Sequence, residues 1–127
     1  MDYSKALMSS VTIRKLSQKA DSGKLTSKEL NRLAAEYGRI AGECIRDQLV
    51  EEYPNGHVSE EDVRRIVSPI LRQNHKYVSA VASMFLDAQY RKEGVGLKAV
   101  VPDYDLRRED DLVKEISQRS FIDELEG

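Results

Sequence analysis

The stretch from residue 30 to residue 49 constrains this chain more than any other. Leu30, Leu33, Ala34, Tyr37, Ile40, Ala41, Cys44, Ile45 and Leu49 recur with a 3.6-residue period over about five turns, so one face of a long helix must be buried. Its start is marked by Thr26 and Glu29, three residues apart, the spacing in which a hydroxyl and a carboxylate cap each other's backbone donors. Its end is marked by Tyr53-Pro54-Asn55-Gly56, because proline cannot continue the hydrogen-bond ladder and Asn-Gly favours a tight turn. The spacing predicts a helix over about 27–52. A helix buried on one face needs partners, and the rest of the sequence supplies them.

Leu7, Met8, Val11 and Leu16 predict a first helix over about 3–20, ended by Asp21-Ser22-Gly23. Ser59 with Asp62 resembles a second capping box, and Val63, Ile66, Val67, Ile70 and Leu71 predict a helix over about 59–72. Pro69 must kink that helix or end it, with a restart nearby. Tyr77, Val78, Val81, Ala82, Phe85 and Ala88 then predict a helix over about 75–93, closed by Gly94 as a left-handed C-cap. Two glycines, β-branched residues and Pro102 make 94–104 an extended connection. Asp105 caps a helix over about 106–119, and Ser120 with Asp123 could open a last short turn in the tail 120–127. The expected fold is therefore all-α, a single domain of four main helices forming a small bundle, with a C-terminal helical segment and an extended loop near 94–104. Gly38 and Gly42, four apart on the long helix, each cost about 1 kcal/mol relative to alanine, and a close approach by a neighbouring helix or subunit is the expected compensation.

Composition narrows the function classes. With 20 Lys+Arg against 22 Asp+Glu the chain has no general basic field for a phosphate backbone, and a long second helix carrying Glu36, Glu43 and Asp47 suits a base-reading helix poorly, so nucleic acid is not an expected partner. The apolar stretches fall short of the roughly 18 residues that span a bilayer, and the N-terminus, with Asp2 and Ser4, lacks the order of a signal peptide. His57, His75 and Cys44 are the best soft or borderline metal ligands, yet no two have the spacing of a helical or knuckle site. Cys44 lies on an apolar stripe and reads as a buried small hydrophobe. Asp103, Asp105, Glu109, Asp110 and Asp111 lack the alternation and central glycine of a calcium loop, and read as capping and first-turn charges that complement a helix dipole. No nucleophile, base and orienter can be assembled, so no enzyme activity, metal or cofactor is expected. A locally basic N-terminal third (Arg14, Lys15, Lys19, Lys24, Lys28, Arg32) precedes a locally acidic C-terminal third. Its bland reading is solvated faces, and its functional one is head-to-tail contact between copies or an acidic partner.

The stretch Glu93-Gly94-Val95-Gly96-Leu97-Lys98-Ala99-Val100-Val101-Pro102-Asp103-Tyr104-Asp105, continuing into Arg108 and Leu112-Val113, resembles a segment of small helical proteins encoded among the head and virion genes of tailed bacteriophages. The resemblance covers about a fifth of the chain and transfers no catalytic residue. It implies a non-enzymatic virion or assembly protein that docks to other phage structural proteins or to copies of itself, located in the virion or the host cytoplasm. The partner-binding candidates are Val95, Leu97, Val100, Val101 and Tyr104, with Tyr90 flanking the segment, since an extended Val-rich piece can add to a partner's sheet edge or clamp a neighbour. The alternative is a small phage-encoded inhibitor that binds a host defence or regulatory protein.

Overall fold

The computed structural model describes residues 2–94 and 102–118, and the regular structure of those residues is entirely helical. Five helices follow in order: α1 (Tyr3–Met8), α2 (Val11–Asp21), α3 (Ser27–Glu52), α4 (Glu60–Lys92) and α5 (Leu106–Gln118). Residues 95–101 and 119–127, including the expected last turn, lie outside the described residues.

The expected single helix over 3–20 is two. Ser9 closes α1, donating its hydroxyl to the Lys5 carbonyl at 3.1 Å, and Ser10, in extended conformation, accepts from the Ile13 N–H at 3.2 Å to start α2. Consecutive serines compete with the backbone for its own hydrogen bonds, and here the competition breaks the helix. The break frees α1 to lay Tyr3 and Leu7 into the core. The opposite correction applies further on, where the helices expected at 59–72 and 75–93 are one, α4, with Pro69 inside it. Pro69 and Arg65, whose carbonyl it leaves without a donor one turn back, are both exposed, while Ile66, Val67 and Ile70 stay buried. Asn74, near the expected restart, accepts the Tyr3 hydroxyl at 2.8 Å instead of capping a new helix.

The capping box of Thr26 and Glu29 is formed in both directions, and Asp105 accepts from the Arg107 N–H at 3.0 Å and the Arg108 N–H at 3.4 Å. Gly94 takes the left-handed conformation expected of a C-cap, at φ +73°. The turn over 53–59 sends α4 back along α3. At one end Arg65 reaches Glu52 at 3.3 Å and the Tyr53 hydroxyl at 2.9 Å; farther along, Tyr37 stacks on Tyr77 with centroids 5.9 Å apart and planes 2° from parallel. Tyr3 meets the edge of Tyr77 at 6.2 Å, which ties α1 to the same stack. Leu33, Val63, Val67 and Val113, from α3, α4 and α5, have no exposed surface, so these three helices share one core. Burial pushes the Tyr3 phenol well above its usual pKa.

Gly38 and Gly42 do not mark a close approach within the domain. A β-carbon at either position would meet nothing within 4 Å. Their backbone entropy is therefore uncompensated by packing in the monomer. Gly38→Ala and Gly42→Ala are each expected to stabilise the chain by about 0.5–1 kcal/mol in urea unfolding, with an unchanged denaturant slope; a loss of stability at either position would show that the space is occupied.

Candidate functional site

On α4 the polar residues Arg64, Ser68 and Arg72 follow one another at four-residue spacing and so form a row along one side of the helix. On α5 the Asp105 cap sets the first turn, and Glu109 falls on the same stripe as the buried Val113 and Ile116. Glu109 is thereby driven against the row on α4. It is 2 % exposed, and it alone is both charged and buried among the described residues.

Its carboxylate is held from four directions. The Ser68 hydroxyl donates to Oε1, and the Tyr104 hydroxyl donates to the same oxygen at 2.9 Å. Arg64 Nη1 lies 3.7 Å from Oε2, and Arg72 Nε lies 3.7 Å from Oε1. Arg64 also donates to Asp110 at 2.7 Å, which adds a second link between α4 and α5. The Tyr104 ring has two further neighbours on α4. The Arg72 guanidinium sits 5.7 Å from its centroid, and His75 meets it edge-on at 5.5 Å. Burial, then the hydrogen bond to Glu109 and that group's negative charge, push the Tyr104 phenol up to about 12. Among the described residues no buried side-chain nitrogen or oxygen lacks a hydrogen-bond partner.

Beside this cluster runs a groove of about 380 Å3 between α4 and α5, with apolar walls from Leu71, Val78 and Leu112 and polar groups from His75 and Arg108. Leu106, in the first turn of α5, is 58 % exposed. Of the residues expected to bind a partner, Tyr104 belongs to this site, but half-buried and with its hydroxyl turned inward to Glu109 rather than outward. Tyr90 is half-buried near the end of α4 and does not line the groove. Val95, Leu97, Val100 and Val101 lie outside the described residues.

Glu109 stands in the first turn of α5 as expected, and the fold adds to that reading its burial. A carboxylate four and seven residues ahead of Val113 and Ile116 sits on the apolar stripe, and the Arg64-Ser68-Arg72 spacing offers a matching row of donors. Those two signals together could have found the cluster. Cys44 is buried as expected, and burial raises its thiol pKa. His57 is exposed in the turn, and His75 lies 3.3 Å from the Ser79 hydroxyl. Among the described residues no group of three His, Cys, Asp or Glu side chains could hold a metal ion, and no helix is long and apolar enough to cross a membrane.

Compared with protein-family models, curated proteins and solved structures, the chain matches none.

Glu109→Ala leaves the Ser68 and Tyr104 hydroxyls without their acceptor, and is expected to cost about 2–3 kcal/mol in urea unfolding, whereas Glu109→Gln, which keeps an acceptor oxygen, should cost less. Equal losses in the two variants would count against the hydroxyl bonds as the source. Because the folded-state pKa of Tyr104 lies above its ordinary value of 10, its contribution is complete below pH 10 and disappears as pH rises through about 12. Tyr104→Phe should remove that part of the alkaline decline and delay no other transition, read as stability against pH alongside tyrosinate absorbance.

Proposed function

We propose that this chain is a non-enzymatic bacteriophage virion or assembly protein that works by docking to other virion proteins. The observation that carries the reading is the anchoring of Tyr104. Its hydroxyl bonds Glu109 of α5 and its ring lies against Arg72 and His75 of α4, which fixes the residue just ahead of α5 between the two helices, while the adjacent groove and Leu106 stay open to solvent. A fixed residue beside an apolar groove with a polar rim is how a small domain presents a pre-ordered contact surface, since little side-chain freedom is lost on binding. Glu109, Tyr104, Arg64 and Arg72, the polar groups clustered here, bind one another in joining two helices. The resemblance of residues 93–113 to virion-region proteins supplies the class of partner. On this reading the protein resides in the virion or in the host cytoplasm during assembly.

The test is mass spectrometry of purified particles for this chain, followed by capture of particle proteins with the wild type and with Leu106→Glu, both checked for equal helicity and unfolding midpoint. The expected result is presence in particles and a capture weakened about tenfold or more by Leu106→Glu, the loss that removal of an interface anchor brings. Absence from particles with recovery of a host protein would overturn the virion reading in favour of an inhibitor. Turnover of any substrate abolished by one polar substitution would overturn the non-enzymatic one.

A further inference from the structure

The antiparallel α3–α4 pair separates charge along its length. At the end formed by α2, the start of α3 and the close of α4, the exposed cations Lys15, Lys24, Lys28, Arg32, Arg91 and Lys92 outnumber the anions Asp21, Glu29, Asp87 and Glu93, and Glu29 is already bound to Lys19. Among the described residues the first four of those cations make no salt bridge. At the other end, where α3 finishes, α4 begins and α5 runs alongside, the exposed anions Asp47, Glu51, Glu52, Glu60, Glu61 and Asp111 outnumber Arg46, Arg64, Arg65 and Lys114. Glu52 and Glu60 are partly answered by Arg65 at 3.3 Å and Arg64 at 3.8 Å, whereas Asp47, Glu51, Glu61 and Asp111 make no salt bridge among the described residues.

Lys28 and Glu51 stand ~35 Å apart along α3 at 1.5 Å per residue, several Debye lengths at physiological salt, so the two ends cannot neutralise each other within one molecule. A second copy can do so. Each end also carries an exposed apolar residue, Met84 beside Arg91 and Val50 beside Glu51, which gives an apolar contact inside a charged surround on both sides. We infer that the basic end of one molecule docks on the acidic end of a second copy, head to tail. Such a contact is heterologous. It leaves one basic and one acidic end unsatisfied in every dimer, and so propagates into a closed ring or an open chain. Nucleic acid is the competing occupant of the basic end, but acidic side chains interleave with the cations there and the whole chain carries a net charge of -2. The inference does not depend on the virion reading, because it uses different surfaces and its test needs only the purified chain.

That test is light scattering of the full chain across concentration, between about 0.01 M salt, where the Debye length is ~30 Å, and about 1 M, where it is ~3 Å. The weight-average mass is expected to rise to about twofold the 14.4 kDa monomer or beyond at low salt, and to return to the monomer at high salt. Two charge-reversed variants complete it. Lys15→Glu/Lys24→Glu/Lys28→Glu and Glu51→Lys/Glu61→Lys should each be monomeric alone and associate when mixed, with unchanged circular dichroism. A wild type that is monomeric at all salts and concentrations overturns the inference. So does association that survives either reversal. Monomeric protein that binds a short DNA duplex through Lys15, Lys24 and Lys28 overturns it in favour of nucleic acid.

Discussion

Everything in this molecule hangs on the burial of one face of α3 against α4. Leu33 on one side and Val63, Ile66 and Val67 on the other lose all or nearly all contact with water, each such side chain contributing about 1.5–3 kcal/mol relative to exposure. Neither face could be covered by a short helix, which is why α4 continues past Pro69 rather than stopping there. One missing backbone hydrogen bond on the exposed side costs less than abandoning the apolar stripe that runs through Ile70 and Val81. The remaining helices are fitted to this pair. The Tyr3–Tyr77–Tyr37 group joins α1 to both, and the buried Val113 and Ile116 seat α5 on α4.

The α4–α5 contact differs in kind from the rest of the core because a carboxylate lies within it. Placing Glu109 out of water is costly unless its oxygens are answered, and two hydroxyls and two guanidinium groups answer them. Such a cluster adds little net stability over an apolar contact of the same size, but it tolerates only one register of α5 on α4, since a shift of a turn would strand the carboxylate. Its structural consequence is the fixed position of Tyr104 just ahead of α5.

Much of this was legible in the residues. The bounds of α3 follow from Thr26, Glu29 and Pro54, because capping and the loss of a donor act within one turn of the residue that causes them. The Asp105 cap and the Gly94 C-cap are equally local. Ser9-Ser10 misled because serine is tolerated inside a helix and favoured at its ends, and which it does depends on whether the segment gains by turning; here the burial of Tyr3 and Leu7 decides. Pro69 misled in the opposite sense. Gly38 and Gly42 suggested a tight approach, and only the packing shows the space beside them to be open. Within the candidate site, the sequence singles out Tyr104 without its bond to Glu109, and it reads Glu109 as a first-turn charge without its burial, because an acid in the first turn of a helix is ordinarily explained by the dipole alone.

The sequence by itself determined the helical class, the caps and the apolar stripes, since these depend on periodicity and on interactions spanning three or four residues. The tertiary structure decided which helices run together, that Glu109 is buried among Ser68, Tyr104, Arg64 and Arg72, and that charges scattered along the chain gather at two opposite ends. Most of those outcomes join residues far apart in the chain, Ser68 and Glu109 being 41 positions apart, and no local pattern encodes a distance that is set only when two faces of fixed shape are pressed together.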